Sequence, residues 1–237
     1  MTSAFAIELA QPFLIATFKA PHDLLSWSLT RPGFVTATRV AWLQVSDADL
    51  PLDVDPAAVL TDKMVENGLG DAVPMMTSRR VDSYEVVSAT SGTIIATCLA
   101  TTGLSNASRI GDAPVGSNMT GTINILAHVD CPFSAAGLVE AISIVTEART
   151  AAVMDLGLDR GSGLVTGTGT DCIVVAAPAG SDREDFAGLH THAGTAIGRS
   201  VYDAVLAGGR AWMDEQRLIC EATFAAKPTA AKPSVLT

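Results

Sequence analysis

The chain reads as an α+β domain, a single layered unit in which a mixed, largely antiparallel sheet packs against helices. Three observations predict it. Strand-like runs crowd the N-terminal part with no helix between them, which argues against a doubly wound parallel sheet. Helical stretches with recognisable caps follow, and the longest come late in the chain. At 237 residues and 48% hydrophobic residues, with a mean hydropathy of +0.34, one core suffices to hold the chain. The domain is expected over residues 1–226. The Lys- and Pro-containing tail, 227–237, is expected to be disordered. No repeat of 20–50 residues is present.

The elements follow in order. Phe13 to Phe18 and Asp23 to Leu29 predict two strands separated by a turn at Pro21. Val35 to Val45, rich in β-branched and aromatic residues, predicts a third. Asp55-Pro56 then opens a helix to about Leu69, because aspartate caps and proline suits the first helical position; Gly68 and Gly70 end it. Val73 to Thr77 predicts a short strand, Val86 to Leu104 a longer strand region interrupted at Gly92, and Thr122 to Val129 another strand. Pro132 and Ser134 lead into a helix of about five turns ending near Gly157. Its apolar face is Leu138, Ile142 and Val145, and its polar stripe Glu140, Ser143, Glu147 and Thr150. Asp171 to Ala177 predicts a strand. A last helical region begins near His190 and runs towards Phe224, with a break at Gly208-Gly209.

Composition excludes several functions. The net charge is −10 and only 15 Lys and Arg are present, which argues against nucleic acid, because phosphate binding needs clustered cations. Aromatics are 5%, too few for single-strand stacking platforms. No apolar run approaches the roughly 18–20 residues that span a bilayer, so no membrane association is expected. The first residues lack a basic segment followed by an apolar one, so no signal peptide is expected. Cys98, Cys131, Cys172 and Cys220 form no C-x-x-C pair and predict reduced thiols in a cytoplasmic protein. A homo-oligomer is compatible with the chain. The acidic balance also tolerates a cationic small molecule.

Short polar strings where apolar runs end carry the candidate chemistry. Thr166-Gly-Thr-Gly-Thr-Asp171 precedes a strand and lacks the lysine of a P-loop. It is either a glycine-rich turn or a loop that sets Thr170 and Asp171 at a strand edge, and a phosphate cradle is the weakest reading. Asn106, in Ser105-Asn-Ala-Ser-Arg109, shapes a turn or binds a substrate amide, while Arg109 suits a carboxylate or oxyanion. Asn124 interrupts an apolar strand as a clamp or a ligand contact. Glu147 reads as a solvated helix carboxylate or a site acid. His190 and His192 flank Thr191 near a helix start, and a histidine near carboxylates suits proton transfer. No H-x-x-x-H or H-E-x-x-H string appears, so no metal is expected.

In this order and spacing the strings resemble the adenosylcobinamide amidohydrolase family. The resemblance runs from Pro74 to Val205. It takes in Met75-Met-Thr-Ser78, Thr102-Gly-Leu-Ser-Asn-Ala107 with Arg109, Gly111 and Asp112, Gly121-Thr-Ile-Asn124, Thr146-Glu-Ala-Arg-Thr150, Thr166 to Asp171, and Gly188-Leu-His-Thr191 with Gly194 and Gly198. The chain departs from the family pattern at Arg31-Pro-Gly-Phe34 and Trp42, and has Arg149 and Leu189 where lysine is common. The resemblance implies hydrolysis of the amide between the corrin side chain and aminopropanol, yielding adenosylcobyric acid for corrinoid salvage. The corrinoid is then substrate, and no cofactor is implied. Amide hydrolysis needs a nucleophile, an oxyanion stabiliser and a proton for the leaving amine. His190 is expected as base or acid, oriented by Glu147 or Asp171. Arg109 and Asn106 would face the oxyanion and Asn124 the ring amides. Activated water is the first nucleophile, with Thr170, Ser105 and Thr191 as covalent alternatives. A different small amide as substrate, and a corrinoid-binding module without hydrolysis, are the other readings.

Overall fold

The two longest strands govern the architecture. In the computed structural model, which describes residues 3–51, 53–113 and 121–225, β2 (Phe13–Ser26) and β3 (Gly33–Gln44) pair along their whole length with a register shift between Thr17 and His22. β1 (Ala6–Ala10) pairs with the first part of β2. The chain continues through α1 (Pro56–Glu66), β4 (Val73–Thr77), β5 (Tyr84–Ser91), β6 (Ile94–Thr102), β7 (Ala107–Ser108), β8 (Ile123–Val129), α2 (Ala135–Asp155), β9 (Gly167–Thr168), β10 (Cys172–Pro178) and α3 (His192–Ala225). The large sheet has the order β4-β3-β2-β10-β8-β6-β5. Among the described strands only β3–β4 and β8–β10 pair in parallel, so the sheet is mixed and largely antiparallel, as the α+β reading requires.

This sheet cannot be flat. Its edge strands β4 and β5 are joined by residues 78–83 alone. Six strand spacings make about 29 Å across a flat sheet, whereas seven residue steps reach about 25 Å at full extension. The bulged β2–β3 ribbon therefore curls and carries β4 back over β8. Asn124 Nδ2 donates to the Met76 carbonyl at 2.8 Å, and Ser28 Oγ to that of Pro74 at 2.6 Å.

The two faces of the sheet are buried differently. The inner face closes on its own large side chains, with Phe5, Phe18, Trp42, Met75, Leu99 and Leu126 in one cluster. Val81, from the short 78–83 link, plugs it, and its N–H donates to Gln44 Oε1 at 3.0 Å. The three described α-helices lie on the outer face. α1 covers Phe13, Ile15, Ala41 and Leu43 through Leu60 and Met64. α2 and α3 cover β6, β8 and β10 through Leu138, Ile144, Val145, Ile197, Val201 and Val205.

Capping follows the sequence. Asp55 accepts from Ala57 N with Pro56 at the first turn, and Ser134 accepts from Gly137 N. Two expectations are corrected. Phe13–Phe18 and Asp23–Leu29 are one strand to Ser26, because the bulge takes in Pro21 where no ladder N–H is needed. The last helix does not break at Gly208-Gly209. Those glycines let α3 press close instead: a Cβ at Gly208 would lie 2.9 Å from Thr102 Oγ1, and one at Gly209 2.3 Å from Leu156 Cδ1. The short β1, β7 and β9 had no counterpart among the expected elements. The tail 227–237 lies outside the described residues.

Candidate active site

A cleft of about 610 Å³ opens between α1, the segment after β3, β4 and the loops that precede β8 and β10. One side is apolar, built from Val45, Leu50, Pro56, Leu60, Pro74 and Met75. The other is polar: Thr77 and Ser78 leave β4, Asn106 and Thr122 come from the loops before β7 and β8, and Gly169-Thr170-Asp171 leads into β10. A concave site of this size, mostly apolar with convergent amides and hydroxyls, is the usual form of a small-molecule site.

The polar wall is assembled around Asp171. Its side chain is 7% exposed and pairs with Arg149 of α2, itself 14% exposed. The carboxylate also accepts from Ile123 N and Thr168 N, both at 3.1 Å, and from Thr168 Oγ1. One carboxylate thus fastens the start of β8, the glycine-rich loop and α2 together. Burial lowers the pKa of Arg149, and the ion pair replaces the water that the guanidinium has lost. Gly167 is required beside this pair, since a Cβ there would lie 2.7 Å from Arg149 Nη1 and 2.8 Å from Asp171 Oδ2. Thr170 Oγ1 donates to the Gly121 carbonyl at 2.9 Å and meets the Thr122 hydroxyl. β7 and β9 pair across this corner, tying the Asn106 loop to the Thr170 loop.

Two polar oxygens at or behind this wall have no partner among the described residues. Asn106 Oδ1, from a cleft residue, is buried and unbonded. Asn124 is fully buried and its Nδ2 clamps Met76, yet its Oδ1 is also unbonded. Among the described residues Cys172 contributes the one thiol of the cleft wall, and burial pushes its pKa up to about 12, so it remains protonated near neutrality.

The expected histidine–carboxylate unit is not assembled. His190 is exposed ahead of α3, and two residues on His192 Nδ1 bonds Ser91 Oγ at 2.9 Å, at the β5–β6 turn. Asp171 sits by Ile123, which pairs with Thr102 at the far end of β6. The eight residue steps of β6 separate these ends by about 27 Å. Glu147 is exposed on α2, within 3.4 Å of Ser143 Oγ. Arg109 donates to the Leu164 carbonyl at 2.8 Å and holds the 159–166 loop rather than the cleft. Thr191 Oγ1 accepts from Gly194 N at 2.9 Å and caps α3. Ser105 adjoins Asn106 but does not line the cleft.

Of the expected residues the cleft therefore gathers Asn106, Thr170 and Asp171, with Asn124 behind. Trp27, Met76, Thr77, Ser78 and Thr122 were not expected there, nor was Arg149 expected behind the wall beside Asp171. The string Met75-Met-Thr-Ser78 carried the signal for three of them; nothing local marked Trp27. Among the described residues no three His, Cys, Asp or Glu side chains gather as metal ligands, and no helix is long and apolar enough to cross a membrane.

A comparison with curated proteins finds no match. The family model described as CbiZ, adenosylcobinamide amidohydrolase, matches residues 2–217, a span that contains every element lining the cleft. The N-terminal strands that depart from the expected pattern lie inside this match, including Trp42, fully buried in the inner core. With nine-tenths of its length covered, the chain belongs to the adenosylcobinamide amidohydrolase family, a family of hydrolases.

Proposed function

We propose that this protein hydrolyses the amide joining the corrin side chain of adenosylcobinamide to its aminopropanol arm, releasing aminopropanol and adenosylcobyric acid. The arm enters the cleft and the scissile amide lies against the polar wall. The observation that carries the reading is Asn106: a buried amide oxygen with no partner among the described residues, on the wall of a ligand-sized cleft. A buried acceptor left unbonded costs about 1–3 kcal/mol, and the N–H of a substrate amide would satisfy it. The Nδ2 of the same side chain is the oxyanion donor. Water is the nucleophile, and the Thr170 hydroxyl, between Gly121 and Thr122, is the covalent alternative.

A second reading, a corrinoid-binding module that cleaves nothing, is favoured by one observation. The cleft wall carries no histidine among its described residues, and its carboxylate already accepts from Arg149 and three further donors. Incubation with adenosylcobinamide, followed by mass spectrometry of the corrinoid, separates the two. The expected result is adenosylcobyric acid, formed with a kcat/KM lowered about 10²-fold or more in Asn106→Ala. Tight binding without product would favour the module.

A further inference from the structure

We infer that Trp27 and Leu29 form a rigid apolar platform at the cleft mouth that takes the flat ring body of the substrate, leaving the cleft to the amide arm. The inference rests on the corrinoid reading above. Both side chains line the cleft, yet Trp27 is 45% and Leu29 57% exposed. Large apolar side chains left in water at the lip of a pocket mark a contact surface.

Their setting is ordered. Ser28, between them, is buried, and its hydroxyl donates to the Pro74 carbonyl at 2.6 Å. That turns the residues on either side outward. The indole N–H of Trp27 donates to the Asp171 carbonyl at 2.8 Å, which fixes the ring while leaving it half in solvent. The loop between β2 and β3 is thus pinned to both β4 and the Asp171 corner. An exposed aromatic held in one orientation binds at a small entropic cost.

The occupant follows from size and chemistry. A cleft of about 610 Å³ suits a drug-sized group. A corrin with its peripheral amides exceeds that, so the arm fits inside and the macrocycle remains at the mouth. The macrocycle offers an apolar face and bears a positive charge at its centre, and an indole face attracts both.

The test compares Trp27→Ala and Trp27→Phe with the wild type, reading KM and kcat for adenosylcobinamide and Kd for adenosylcobyric acid by absorbance titration. The product keeps the ring and lacks the arm. Trp27→Ala is expected to raise KM and the product Kd about tenfold each, with kcat changed less than about threefold. Trp27→Phe, which keeps a smaller ring and loses the N–H that fixes it, is expected to fall between wild type and Trp27→Ala, with KM and product Kd raised about threefold. An unchanged KM and product Kd in Trp27→Ala would overturn the platform while leaving the hydrolase reading intact, as would a change in oligomeric state alone. A rise in KM with the product Kd unchanged would also overturn it, since the contact would then be with the arm. A wild-type protein that neither binds nor cleaves the corrinoid would overturn both readings.

Discussion

Mild acid should loosen the inner core through one residue, His128. Its ring is 5% exposed, and its Nε2 lies 3.2 Å from Nε2 of His22, whose Nδ1 contacts the Ala20 carbonyl at 2.9 Å. Phe18 stacks on His22 with centroids 4.2 Å apart, and Phe5 meets His128 edge-on. With both rings neutral the bonds close: His22 donates through Nδ1 and accepts at Nε2, His128 donates through Nε2, and His128 Nδ1 has no partner among the described residues. A proton on His128 would bring a charge into this aromatic nest beside a second imidazole. Burial first, and the His22 charge second, therefore lower its pKa from 6.5 to about 4. Between those values the unfolded chain binds the proton and the folded chain does not, so stability falls as pH falls. The stabilisation is intact above about pH 6.5 and is lost on approach to pH 4. It amounts to about 3 kcal/mol in all, of which about 2 kcal/mol goes between pH 7 and pH 5. Urea unfolding of wild type and His128→Gln at those two pH values reads the difference directly. The variant should lose about 2 kcal/mol less than wild type over the interval. An identical loss in both proteins would refute the assignment.

Other expectations concern the frame of the site. Asp171→Ala strands Arg149 in a buried position and should cost about 3–5 kcal/mol in chemical denaturation; Arg149→Met in the same chain should recover part of that, and no recovery would mean that the backbone bonds to Ile123 and Thr168 matter more. In Gly194→Ala the new Cβ would fall about 2.1–2.2 Å from the Ala187 and Gly188 carbonyls, so thermal unfolding should show a loss of at least about 1–3 kcal/mol. His190→Ala should keep turnover within about threefold, because the residue is exposed at the other end of β6; a fall of about 10²–10⁴-fold would restore it as a proton carrier.

Local chemistry made much of the fold legible. Asp55-Pro56 and Ser134 cap α1 and α2 as their side-chain chemistry dictates, and β4 falls on Val73–Thr77 as expected. Glycine was the ambiguous signal. At Gly208-Gly209 a pair that would end an isolated helix instead admits Thr102 and Leu156, which no helical period reveals. Pro21 misled in the same way, because a bulge that tolerates it exists only once β3 is paired alongside.

The site divides along the same line. Residue type and spacing marked Asn106, Thr170, Asp171 and Asn124 as polar groups at the ends of apolar runs, and the strings taken in order pointed to the family. Those signals are local and survive without a structure. Which polar groups meet was decided by the curl of the sheet, which brings β4 over β8 and sets Met76, Thr77 and Ser78 opposite the Asn106 and Thr170 loops. The packing of α2 against the outer face beside β10 sets Arg149 against Asp171, while His190, Glu147 and Arg109 lie elsewhere. Strand pairing joins residues far apart in the chain, and no local preference encodes which ends of a sheet will face each other.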